Sequence, residues 1–175
     1  AALAQNTTGA NNTALGSLAL NLNTTGHEND SFGAYSLTAN TTGNDNCAFG
    51  TATLSANTTA SNNTAFGRAA LELNTTGANN VAVGRSALDS NTTADNNTAV
   101  GYASLAANTT GYSNSVVGYV TGSGITTGAL NTLMGYAAGA NSLALTTGDA
   151  NTIIGASCDT TASGSTNAMG LGYSL

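Results

Sequence analysis

The sequence predicts a mainly β chain, wound as a parallel β-solenoid or β-roll of about ten 17-residue coils. Three observations predict it. The tripeptide Asn-Thr-Thr begins at Asn6, Asn23, Asn40, Asn57, Asn74, Asn91 and Asn108, each step 17 residues. A glycine keeps the same step through Gly16, Gly33, Gly50, Gly67, Gly84, Gly101, Gly118 and Gly135. Between these marks, segments such as Asn-Asn-Thr-Ala-Val alternate in character and stop at the glycine, as a short strand does. Paired-helix repeats are longer than 17 residues, and the step is no multiple of a heptad. At ~4.8 Å per coil, ten coils make a rod of about 48 Å.

Each element of the repeat has a reason. Asn-Thr-Thr-Gly is a turn, because Asn and Gly accept positive φ and Asn and Thr side chains bond nearby backbone. The strand follows, preceded by a second asparagine column through Asn12, Asn29, Asn46, Asn63, Asn80, Asn97, Asn114 and Asn131. Its last residue is larger and apolar, in Leu15, Phe32, Phe49, Phe66, Val83, Val100, Val117 and Met134. With the leucine column Leu20, Leu37, Leu54, Leu71, Leu88 and Leu105, these residues are expected to form the core. By strand alternation, the preceding column should then face outward and form an oligomer contact. That column is Ala14, Ala48, Ala65, Ala82 and Ala99, then Val116, Leu133 and Ile153.

The second leg, Gly-x-Ala-x-Leu, suits a short strand or one helical turn. Arg68 and Glu72, and Arg85 and Asp89, stand at helical pairing distance, but strand is the preferred reading. The regular array spans 1–122, and 123–175 reads as irregular coils of the same solenoid. There Leu gives way to Gly122, and the turn motif becomes Ile125-Thr-Thr, Leu145-Thr-Thr and Asp159-Thr-Thr.

Composition limits function. Charged residues are 6% of 175, Lys and Arg together number 2, and the net charge is −6. So few cations argue against nucleic acid as a partner. No apolar run approaches the roughly 20 residues of a membrane span, so no membrane insertion is expected. One histidine and no nucleophile–base pair argue against an enzyme, and no cofactor is expected. The chain starts at Ala1, as a mature product or a piece of a longer one would. Cys47 and Cys158 fall more than six coils apart, too far to pair within one solenoid.

The segments NNTAFG, NNVAVG, NNTAVG and NSVVG resemble the coils of trimeric autotransporter adhesin heads. The longer unit, with Asn-Thr-Thr-Gly and a leucine column, is similar to repeat tracts of bacterial and phage tail-fibre-like proteins. The resemblance implies a β-roll, chains packed side by side, and a place outside the cell or on the cell or virion surface. It implies a non-enzymatic structural role in a fibre or filament, with adhesion as an accompanying one. Its departures are the coil length and the leucine column. A phage tail-fibre shaft and a glycan-binding adhesin head are the alternatives, and an ice-binding protein a more remote one.

The partner expected first is therefore a second copy of the chain. Leu3 is in phase with Leu20, and the closing GYSL matches AYSL at 34–37, so subunits in register would continue the ladder end to end. Surface glycans are the second partner. Tyr102, Tyr119 and Tyr136 form a column that suits carbohydrate contact or a stacked stabilising ladder. Each Asn-Thr-Thr is also an N-glycosylation sequon, at Asn6, Asn23, Asn40, Asn57, Asn74, Asn91 and Asn108, although a structural turn ladder explains the same letters. His27, Glu28 and Asp30 share one turn, which reads as a solvated loop, and no metal is assigned. Asp45, Asp95, Asp149 and Asp159 are scattered without a calcium-roll pattern. An ice face needs two threonine columns two residues apart, whereas adjacent threonines on extended backbone point opposite ways.

Overall fold

The computed structural model describes residues 1–140, 145–159, 162 and 164–173. Thr160 and Thr161 of the last turn motif, and the closing Ser174 and Leu175, lie outside the described residues. The chain is an all-β parallel solenoid. Its strands are β1 Thr13–Leu15, β2 Asp30–Phe32, β3 Cys47–Phe49, β4 Thr64–Phe66, β5 Val81–Val83, β6 Thr98–Val100, β7 Ser115–Val117, β8 Thr132–Met134, β9 Thr152–Ile154 and β10 Met169–Leu171. They form one ten-stranded sheet in chain order. Each strand pairs in parallel, in register, with the same repeat position of the next coil, so Ala65 faces Ala82 and Phe66 faces Val83. The glycine after each strand turns the chain at φ near 130°, and a Cβ on Gly67 would stand 2.7 Å from the carbonyl carbon of Gly84. Only glycine allows that approach.

The second leg is neither strand nor helix, and among the described residues there is no helix. It is a turn-rich leg in which alternate residues take left-handed φ, as in Ala52 at 58° and Leu54 at 51°. The inter-coil ladder continues through it. Ala52 N–H donates to the Ala34 carbonyl at 2.9 Å, and Leu54 N–H donates to that of Ala70 at 3.1 Å. The leucine column thus holds an unfavourable backbone, costing about 1–2 kcal/mol per residue. Burying each leucine side chain gains about 1.5–3 kcal/mol in return. A β-branched side chain is a worse fit to left-handed φ, a reason for leucine rather than valine or isoleucine here.

Leu20, Leu37, Leu54, Leu71, Leu88 and Leu105 are all fully buried. The strands, however, face the opposite way from the sequence expectation. Their central residues point inward: Ala48, Ala65, Ala82, Ala99, Val116, Leu133 and Ile153 are essentially inaccessible. Phe49, Phe66, Val83 and Val117 are 37–41% exposed. Phe32 and Val100 are half-buried. These six residues therefore form an outer column rather than core. The physical reason is the width of the coil. Leucine from the second leg already reaches the strand's inner face, leaving room there for a methyl and no aromatic ring.

The rest of the interior is polar. Both asparagine columns point inward as ladders. Asn74 Nδ2 donates to Asn57 Oδ1 of the preceding coil at 3.0 Å and to its own turn's Gly77 carbonyl at 2.9 Å. Asn91 repeats the contact one coil on, at 2.8 Å to Asn74 Oδ1. In the column before the strand, Asn63 donates its backbone N–H to Asn46 Oδ1 at 3.1 Å and its Nδ2 to the Gly77 carbonyl at 2.9 Å. Each such side chain bridges the coil before and the coil after.

Where the leucine column lapses, the core is refilled from other columns. Gly122 stands in its place, and the space is taken by Ile125, Leu133 and Val116. Their side-chain atoms lie 3.3, 3.4 and 3.5 Å from where a Gly122 Cβ would be. Ile125 replaces a ladder asparagine, and Val116 and Leu133 replace strand alanines. The exchange leaves the Oδ1 of Asn108 buried without a hydrogen-bond partner, because the next coil offers no amide.

Candidate functional site

With the core made of alanine, leucine and asparagine, the exterior carries the candidate functions. The longest feature is the outer strand column. Leu15, Phe49, Phe66, Val83, Val117, Met134, Ile154 and Leu171 are exposed, and half-buried Phe32 and Val100 fill the remaining coils. It is an unbroken apolar stripe over all ten strands. Its aromatic part is ordered by stacking, with ring centroids 4.3 Å apart for Phe32 and Phe49 and 5.0 Å for Phe49 and Phe66. The alanine column expected to form an oligomer contact cannot do so, because those alanines are inside.

Beyond the turning glycine, Tyr102, Tyr119 and Tyr136 form a second exposed ladder, 5.1 and 5.4 Å between centroids and nearly parallel. Arg85 lies 5.8 Å from the centroid of Tyr102 and caps that end. Sugars dock on aromatic faces. Here the faces are turned to one another, which favours the stabilising role over a carbohydrate platform.

Asn23, Asn40, Asn57, Asn74, Asn91 and Asn108 are fully buried, and their Nδ2 atoms are committed to the ladder. A glycan on Nδ2 would displace those bonds and has no path to solvent, so the glycosylation expectation fails at these six positions. Asn6, in the first coil, is exposed.

The two threonines of the turn are placed differently, the first half-buried and the second exposed in most coils. The first turns its hydroxyl to the next coil: Thr24 Oγ1 donates to the Thr41 carbonyl at 3.0 Å. That same carbonyl accepts from the N–H groups of Thr24, Thr25 and Gly26 at 2.9, 3.1 and 3.4 Å. Beyond the first coil, the second threonine, as at Thr25, Thr42 and Thr59, is the solvent-exposed one. Two residues further on stand His27, Asn44 and Ser61, so a matching threonine column is missing.

Those same rim positions cap the stack. Asn44 Oδ1 accepts from His27 N–H at 3.0 Å, Asp95 Oδ1 from Ala78 N–H at 2.7 Å, and Asp149 Oδ1 from Ala129 N–H at 2.7 Å. The scattered acids Asp95 and Asp149 are thereby explained as backbone caps. Sequence reasoning paired His27 and Glu28 with Asp30. The structure instead brings Asp45 from the next coil to His27 and Glu28, their ligand atoms all within 4.8 Å of one another. Cys47, on β3, and Cys158, after β9, are both free thiols. Burial, then the carboxylate of Asp30 in the neighbouring strand, pushes the Cys47 thiol up from its ordinary value.

The fold and the repeat define a class: the chain is a β-solenoid tandem-repeat protein. No family model matches it, and neither a curated protein nor a solved structure does.

Proposed function

We propose that this chain is a structural protein of an extracellular fibre, whose solenoid rods associate side by side with copies of themselves. The observation that carries the reading is the apolar stripe of the outer strand column. Ten successive coils present Leu, Phe, Val, Met or Ile to one side of the rod. Contiguous apolar surface of this kind marks an interaction site. A partner with the same repeat step meets it in register along its whole length, and a second copy has that step by construction. The near absence of charge supports close packing of rods, since few ions need desolvation. The likeness of the coils to adhesin heads and tail-fibre tracts supports a place at a cell or virion surface, and adhesion as an accompanying role.

The experiment is sedimentation equilibrium on the parent and on Phe49→Asp/Phe66→Asp, with far-UV circular dichroism as a control. The expected result is an oligomeric parent and a monomeric variant with an unchanged spectrum, because both side chains lie outside the core. A parent that stays monomeric at about 100 μM, weaker than specific complexes of this kind, overturns the reading.

A further inference from the structure

We propose that His27, Glu28 and Asp45 form a surface site for one divalent transition-metal ion, zinc being the type case. The first support is geometric. One imidazole nitrogen and two carboxylate oxygens lie within 4.8 Å of one another, on two successive coils. Their backbones are fixed by the solenoid itself. Asp45 N–H donates to the His27 carbonyl at 3.1 Å, and Glu28 N–H donates to that of Ala10 at 3.0 Å. His27 N–H is held by Asn44 Oδ1. The side chains are exposed, so small rotations bring their donor atoms to the ~2.0–2.2 Å reach of a zinc ion.

The second support comes from the repeats, which act as an alignment within the chain. Glu28 and Asp45 occupy the same turn position, with φ of 58° and 55°. In the other coils that position is Asn11, Asn62, Asn79, Asn96, Ser113, Leu130, Ala150 and Asn167, also left-handed and all uncharged. Asparagine is the residue suited to this conformation, and glutamate is not. Two successive coils have thus exchanged a favourable neutral residue for carboxylates stacked in register, where like charges repel. The single histidine of the chain stands beside them. A cation offsets the repulsion that the exchange creates.

The donor set selects the metal class. Imidazole suits zinc, copper and nickel, and two carboxylates balance a double positive charge. Three protein ligands leave the remaining coordination positions to water, an open site rather than a closed structural one.

The test is calorimetric titration of the full chain with zinc chloride, together with thermal unfolding with and without zinc. His27→Ala and Glu28→Asn/Asp45→Asn are the variants. Both copy residues that other coils carry at these positions, Ala10 and Ala78 or Asn62 and Asn79, so both fold. The parent is expected to bind one equivalent and to melt higher with zinc. Each variant is expected to lose at least about tenfold in affinity, as removal of even an outer-shell partner does. The asparagine variant should also melt higher than the parent without metal, and gain nothing when zinc is added. Absence of binding at millimolar zinc, or binding that both variants retain, overturns the proposal.

Discussion

At the residue scale, the most unusual choice is to place asparagine where a small protein normally places hydrocarbon. Buried polar side chains are tolerable only when every donor and acceptor is matched. A ladder does this at every rung except its last. Asn74→Ala removes the bonds to Asn57 and Gly77, and takes from the Asn91 amide one of its two acceptors. The expected cost is about 3–5 kcal/mol, three bonds at ~1 kcal/mol plus orphaned buried groups. Denaturant unfolding measures it, and Asn79→Gly, at an exposed turn whose φ of 58° glycine also accepts, serves as the near-silent comparison. A second prediction concerns Asp89. Burial, then the Glu72 carboxylate one coil away, raise its carboxyl above the ordinary value. The folded chain therefore keeps a proton there at pH values where the unfolded chain has released it. Stability falls as pH rises from the ordinary carboxylate range through that raised value. Asp89→Asn should therefore be more stable than the parent at pH 7, by less than about 1 kcal/mol because the site is partly open to solvent. Below pH ~3, where both states are protonated, the two proteins should converge. Urea midpoints across pH measure this.

At the scale of the coil, the period, the strand and its terminal glycine were legible from the sequence, because they repeat. Which face of the strand points inward was not. Phenylalanine and valine ordinarily claim the interior, and a column of alanine suits either side. What decides the matter is the opposite wall. Leu71 and its equivalents fill the interior up to Ala65 and Ala82. The signal was present in the irregular coils, where Ala gives way to Val116 and Leu133 beside Gly122 and Gly139. Only residues sharing one interior need trade volume in this way. That trade predicts a coupling. Gly122→Leu alone overpacks against Ile125 and Leu133, and Ile125→Asn alone leaves a cavity, each at a cost of about 1–3 kcal/mol. Together they recreate the Leu-and-Asn arrangement of earlier coils and return a partner to Asn108 Oδ1. The double variant should therefore be more stable than the sum of the singles by at least about 1 kcal/mol, as residues sharing a cavity are. A double-mutant cycle in urea gives the number, and strict additivity contradicts the shared-volume account. The rim cluster was half legible. His27 and Glu28 are neighbours in sequence, but choosing Asp45 over Asp30 required the register between coils.

At the scale of the whole molecule, a rod with polar ladders inside and an apolar stripe outside reverses the usual division of residues. The interior gains specificity of register, since a coil shifted by one residue breaks both asparagine ladders at once. The exterior gains a surface that repeats at the same step as the fold. Both consequences rest on one claim, that the asparagines of the turn and of the strand entry are interior. Hydrogen exchange of side-chain amides, followed by NMR, reads this directly and carries its own control in the exposed turn asparagines Asn62, Asn79 and Asn96. The account predicts that the Nδ2 protons of Asn40, Asn57, Asn74 and Asn91, and of Asn46, Asn63 and Asn80, exchange at least about a thousandfold more slowly than those controls, as groups released only by global unfolding do. Equal exchange in ladder and control asparagines would contradict it.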